Sequence, residues 1–178
     1  MKKAVSILCA ILLLLCIPSA AWAKDLGISR QQFIGAFIDG ALLTGYDHFP
    51  DSDNYFHDTK DPSIVYFYLT DYVGMMLECG PTSDTVNNIS VIYAVGGGDA
   101  GAKDFITCIG EIAYALGVLP HLDPANPIYE YAFLADMGFE GAKFTNGENG
   151  MVIRNGYVFQ WKVDYANGGI FFFVDPAR

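Results

Sequence analysis

Asp61-Pro62-Ser63-Ile64-Val65-Tyr66-Phe67-Tyr68-Leu69-Thr70-Asp71-Tyr72-Val73-Gly74-Met75-Met76-Leu77-Glu78-Cys79-Gly80-Pro81 is the stretch on which the fold turns. Asp61 is a good N-cap, and Pro62 fits the first helical position, where a missing N–H costs nothing. Gly80-Pro81 supplies a stop. These signals predict one helix up to Gly80. Its Ile64, Val65, Phe67, Tyr68, Leu69, Tyr72, Val73, Met75, Met76 and Leu77 are apolar nearly all round, which places such a helix centrally or in an interface.

Upstream, Ser29 with Gln32 three residues later makes a capping box. Phe33, Phe37 and Ala41, with Ile34, Ile38 and Leu42, form the apolar stripe of a first helix, and Gly45 ends it. Tyr46 to Asp61 reads as a polar loop. Downstream, Thr82 or Ser83 can cap a segment with Val86, Ile89 and Tyr93 at helical spacing, while a strand from Ile89 to Val95 is the competing reading. Gly96 to Gly98 break the chain. Asp99 or a neighbour starts the next helix, with Phe105, Ile109, Ile112, Ala113 and Leu116 on its apolar face and Gly117 and Pro120 at its end. A short helix from Asn126 and Pro127 to about Met137 follows.

After Gly138 the period changes to two. Tyr157, Phe159, Trp161, Val163 and Tyr165 alternate with Val158, Gln160, Lys162 and Asp164, the mark of a strand with one apolar face. Asn155-Gly156 and Asn167-Gly168 on either side are favoured two-residue hairpin turns. Two such turns put Arg154 opposite Tyr157 and Ala166 opposite Gly169. Val152, Phe159, Trp161, Val163, Tyr165, Ile170, Phe172 and Val174 then share the face that packs on the helices. Phe171 and Phe173 fall on the other face beside Lys162 and Asp164, where two large aromatics mark a partner surface. The expected fold class is α+β, with about five helices followed by a C-terminal three-stranded antiparallel meander.

The first 23 residues read as a cleaved secretory signal peptide: Lys2 and Lys3, an apolar run from Ala4 to Ile17, Pro18, and a small-residue end at Ala21-Trp22-Ala23. The run is short of the ~20 residues that cross a bilayer, and no later segment offers a long apolar span. Residues 24–178 read as one domain, mainly helical over 24–138 and a meander over 139–178. Without Lys2 and Lys3 it carries 8 basic against 20 acidic residues, a formal charge near −12. Such a chain is repelled by nucleic acid and by anionic lipid, and no stable membrane insertion is expected after cleavage. Cys9 and Cys16 leave with the signal, so Cys79 and Cys108 remain as an even pair in an oxidising compartment, which predicts a disulfide. Closing its loop of about 30 residues contributes roughly 3 to 4 kcal/mol in the chain-entropy model.

Constellations with chemical potential are few. Gly96-Gly97-Gly98-Asp99-Ala100-Gly101 fits the dinucleotide pattern but has no acidic ribose partner in place, Asp123 lying in a loop beyond Pro120, so no cofactor is expected. Cys79-Gly80-Pro81 has threonine at position 82 where a redox pair needs its second cysteine. The loop 46–61 gathers His48, Asp51, Asp53, His57 and Asp58, donors that suit a transition metal, with His48, His57, Asp51 and Asp53 as the ligand set. Asp51-Ser52-Asp53 starts like a calcium loop, but Tyr55 and Phe56 occupy ligand and glycine positions. Asp104 and Glu111 read as the solvated side of a helix. No serine sits in a nucleophile elbow.

Phe37-Ile38-Asp39-Gly40, then Cys79 with Pro81, then two helices, resembles small helical periplasmic immunity proteins over under half of the mature chain, departing from them in cysteine placement and in the meander. The resemblance implies that an acidic helical protein of this size can act by binding alone. The expected function is that of a small acidic periplasmic or secreted binding protein without enzymatic activity, its partner another envelope or secreted protein. Competing readings are an envelope hydrolase or metal protein using the loop 46–61, and a homo-oligomeric subunit of an envelope assembly.

Overall fold

The computed structural model describes residues 25–50, 55–80, 83–120, 122, 128–139 and 146–177. The signal peptide expected at 1–23 lies outside them, as do Asp51, Asp53, Pro81, Thr82, His121, Asp123, Asn126 and Pro127.

Helix α1 spans Arg30–Thr44. Its capping box is formed as the sequence implies: Ser29 Oγ accepts the Gln32 N–H at 3.2 Å and Gln32 Oε1 accepts the Ser29 N–H at 3.1 Å. Gly45 at φ 72° closes the helix in the left-handed conformation that glycine tolerates.

The stretch 61–81 folds otherwise than its caps suggest. It is a hairpin, with β2 at Ile64–Tyr68 and β3 at Val73–Cys79, preceded by a short β1 at Tyr55–His57. Asp58 and Asp61 spend their side chains on turns: Asp58 Oδ1 accepts the N–H groups of Lys60 and Asp61 at 2.7 and 3.0 Å, and Asp61 Oδ1 accepts that of Ser63 at 3.0 Å. Thr70 Oγ1 then takes the N–H groups of Tyr72 and Val73, which turns the chain back. An apolar run cannot by itself distinguish a buried helix from a strand covered on both faces. The β-branched and aromatic run Ile64-Val65-Tyr66-Phe67-Tyr68 decides for the strand.

The segment around Val86, Ile89 and Tyr93 is likewise a strand, β4 at Val86–Ala94, and the loop 46–61 contains β1. A 3-10 turn at Val95–Gly97 leads into α2, Gly98–Ala115, and α3 covers Ile128–Asp136. The last strands are β5 at Asn149–Arg154, β6 at Tyr157–Asp164 and β7 at Gly169–Pro176. The expectation of about five helices and a three-stranded meander is therefore overturned. The described residues form three helices and one seven-stranded antiparallel sheet, ordered β1-β2-β3-β4-β7-β6-β5. The segment that follows Pro81 is a strand where the resemblance to immunity proteins needs a helix.

The C-terminal meander supplies three of the seven strands, joined to the other four where β4 pairs with β7. Its first turn has the expected register, Arg154 opposite Tyr157. Its second does not: Asp164 faces Gly169, because Tyr165–Asn167 form a 3-10 turn. The two-residue difference preserves the faces, but it sets Trp161 opposite Phe172 instead of Val174, and Tyr165 leaves the sheet and is exposed.

All three helices send side chains to one face. Phe33 and Phe37 of α1, Phe105, Ile109 and Ile112 of α2, and Phe133 and Leu134 of α3 join Val65, Phe67, Met75, Leu77, Val91, Phe159, Trp161 and Phe172 in the main core. Trp161 Nε1 donates to the Met137 carbonyl at 2.9 Å, which ties the end of α3 to the sheet. The glycine-rich segment has a packing role: a Cβ on Gly97 or Gly101 would come within 2.7 Å of Tyr72 or 2.9 Å of Tyr93. Tyr93 Oη also donates to the Gly98 carbonyl at 2.9 Å, so the tyrosines occupy the space beside the helix start.

Candidate functional site

The second face of the sheet carries its own cluster, built among the described residues from strand side chains alone: Ile64, Tyr66, Met76, Ile92 and Phe171, with Phe56, Tyr68 and Phe173 packed against it. The registers align these residues in rows. One row runs Phe56, Tyr66, Met76, Ser90, Phe173, Gln160, Met151, and the next runs Tyr68, Gly74, Ile92, Phe171, Lys162, Asn149. Exposure changes along them. Tyr66 and Phe171 are 3% exposed and Phe173 is partly buried, whereas Met151 on the edge strand is 59% exposed. The face is thus closed over β2, β3 and β4 and opens toward β5.

A third row is polar and placed by the same alternation: Glu78, Asn88 and Asp175. Asn88 Nδ2 donates to Asp175 Oδ1 at 2.8 Å and to the Val174 carbonyl at 3.2 Å, while Ser90 Oγ donates to Asn88 Oδ1 at 2.8 Å. Gln160 Nε2 donates to Asp175 Oδ2 at 3.1 Å. This chain holds Gln160 in one orientation, since both Asp175 oxygens are engaged. Burial, with Asp61 and Asp175 nearby, pushes the Glu78 carboxyl above its usual range.

Beside Gln160 lies a pocket of about 320 Å³, lined by Asn149, Met151, Gln160, Trp161, Lys162 and Phe173. Apolar walls come from Met151 and Phe173, the Trp161 ring being turned into the main core; Asn149 and Gln160 offer amide groups, and Lys162 offers an exposed cation. Such a mixture holds a ligand with an apolar body and a hydrogen-bond acceptor or anionic end.

The residues singled out from the sequence are dispersed. Phe171 and Phe173 lie on the second face, their rings stacked at 6.3 Å, but Phe171 is core and Phe173 alone reaches the pocket. His48 Nε2 sits 3.2 Å from Asp47 Oδ1, and His57, on β1, places Nδ1 3.2 Å from the Pro62 carbonyl. Asp51 and Asp53 lie outside the described residues, and among those described no three His, Cys, Asp or Glu side chains converge to hold a metal ion. Cys79, at the end of β3, and Cys108, on α2, are free thiols in this structure, both buried in the main core. Burial pushes both thiols up, so neither has the low pKa of a redox cysteine.

Glu111, read as solvated, is in fact buried at 1% exposure. The sequence places Lys162 beside Phe171 and Phe173, but it gives no site role to Asn88, Ser90, Gln160 or Asp175. Asn88 and Ser90, polar at alternate positions in an apolar strand, were the available signal, and the helical spacing of Val86, Ile89 and Tyr93 masked it. Among the described residues, no helix is long and apolar enough to cross a membrane. The chain matches no known protein family, no curated protein and no solved structure.

Proposed function

We propose that this is an exported binding protein that acts without catalysis, and that its contact surface is the open end of the second sheet face. The pocket carries the reading: Met151 and Phe173 supply apolar walls around the Gln160 amide, and Lys162 stands at the same site. The ligand this suits has an apolar or aromatic body and an acceptor or carboxylate end, such as an extended segment of another envelope protein. Export rests on the Lys2-Lys3 start, the apolar run and the Ala21-Trp22-Ala23 end.

Tagged protein should capture partners from envelope extracts. Phe173→Ser and Lys162→Glu should reduce capture with the melting temperature nearly unchanged. Trp161, whose ring lies in the main core, reports folding of these variants once Trp22 leaves with the signal. Equal capture by wild type and both variants would sink the proposal.

A further inference from the structure

The outer edge of the sheet at β5 combines three properties. The turn Asn155-Gly156, with φ 50° and 83°, is a two-residue type I′ turn, whose closing pair Arg154 and Tyr157 exchanges both backbone hydrogen bonds. Since backbone groups alternate in direction along a strand, Gly150, Val152 and Arg154 bond to β6, while Asn149, Met151 and Ile153 turn their N–H and C=O groups outward. Nothing among the described residues pairs with that edge. Met151 and Ile153 also expose 59% and 58% of their surface, on the second face. Natural edges are guarded by charge, proline or a bulge, and the middle of this strand has none of these.

Charge lies at its two ends. Glu148 precedes the strand and is exposed, its carboxylate accepting from Asn146 Nδ2 at 3.2 Å; Arg154 ends the strand and pairs with Asp136 of α3. We propose that β5 is the seam of a two-fold homodimer, in which β5 pairs antiparallel with β5 of a second copy and Met151 faces its own counterpart. In that register Asn149 faces Ile153 of the partner copy, so all three outward residues on each chain are bonded, giving six backbone hydrogen bonds. Glu148 then stands opposite Arg154 of the other copy, twice by symmetry. A shift of two residues either way loses two of the bonds and both charge pairs. Arg154 has five N–H donors, enough for Asp136 and the partner's carboxylate together. The two-fold axis leaves both second faces on the same side, so the pockets flank the seam.

This inference is independent of the pocket's ligand, and the residues of its two charge variants, Glu148 and Ile153, lie outside the pocket lining. Light scattering of the purified protein across a concentration series should give twice the chain mass. Glu148→Lys opposes two cations at each end and should raise the dissociation constant roughly tenfold. Ile153→Lys, at an exposed site, should give a folded monomer. Met151→Cys should cross-link into a dimer under mild oxidation, whereas Leu42→Cys, exposed on α1, should not. A monomer at every concentration, or a dimer unmoved by Glu148→Lys and Ile153→Lys, would overturn the proposal. If Phe173→Ser abolishes capture while the doubled mass persists, the two surfaces are separate.

Discussion

The Thr44 hydroxyl, in the last turn of α1, donates to Glu111 Oε1 of α2 at 2.5 Å, and Gly40 one turn earlier lets the helices approach this closely. A Cβ on Gly40 would stand 2.3 Å from Glu111 Oε2 and 2.9 Å from Tyr114. A buried carboxylate that loses a donor keeps its desolvation cost, so Thr44→Val should destabilise by about 1 to 3 kcal/mol. Gly40→Ala should cost about as much, because a helix or a core side chain must shift. Urea unfolding of both variants measures this. A loss under about 0.5 kcal/mol in each would mean the α1–α2 contact is looser than described.

Glu78 gives a pH dependence with a definite sign. Its carboxyl is pushed above the ordinary 4.5, first by burial and then by Asp61 and Asp175. The folded chain therefore binds this proton more tightly than the unfolded chain, and the linkage term lowers stability as pH rises from 4.5 through the folded value. Glu78→Gln removes the charge and should be more stable than wild type at pH 7, with the gap closing toward pH 4. Asp58 acts oppositely: the N–H groups of Lys60 and Asp61 hold its carboxyl below 3.8, so its contribution is present above that pH and is lost on acidification. Urea midpoints for wild type and Glu78→Gln across this range would test the sign.

What the sequence disclosed divides along the kind of signal. Local devices were legible: Ser29 with Gln32, Gly45, and the Asn155-Gly156 turn all act through neighbours a few residues away. The stretch 61–81 was not, because its alternation is erased when both faces of the strand are apolar. Val65, Phe67, Met75 and Leu77 meet the helices, while Ile64, Tyr66 and Met76 fill the second face. Asp61-Pro62 then looks like a helix start although it initiates a turn. The candidate site was legible as Phe173 with Lys162 beside it. Its other members come from β5 and β6. The polar row joins β3, β4 and β7, and pairing of strands about 80 positions apart in the chain leaves no local trace.

Cys79 and Cys108 offer a count and a rate. In reduced protein both thiols are buried and pushed up, and Cys108 is further opposed by Glu111 and Asp104. A thiol-specific reagent should therefore react slowly with the folded chain and at once with both positions in denaturant, with Cys79 reacting before Cys108 at intermediate denaturant. The same reagent tests the bond expected from export. Unreduced exported protein that yields no thiol when unfolded carries the Cys79–Cys108 disulfide; two thiols per chain would retire it.

Phe171 and Phe173 stand two residues apart with stacked rings, yet they should respond differently to truncation. Phe171 is 3% exposed and sits in the cluster with Ile92 and Met76, so Phe171→Ala should cost about 3 to 5 kcal/mol, the range for emptying a buried aromatic site. Phe173 is only partly buried and borders the pocket, so its neighbours and water can take up the vacated space, and Phe173→Ala should cost less than half as much. The comparison makes the binding proposal interpretable. A binding defect in the Phe171 variant is confounded by lost stability, whereas one in the Phe173 variant is not. Equal destabilisation by the two would place Phe173 in the core and leave Lys162, Gln160 and Met151 to carry the contact surface. Denaturation curves for the two alanine variants, measured beside wild type, distinguish these outcomes before any partner is known.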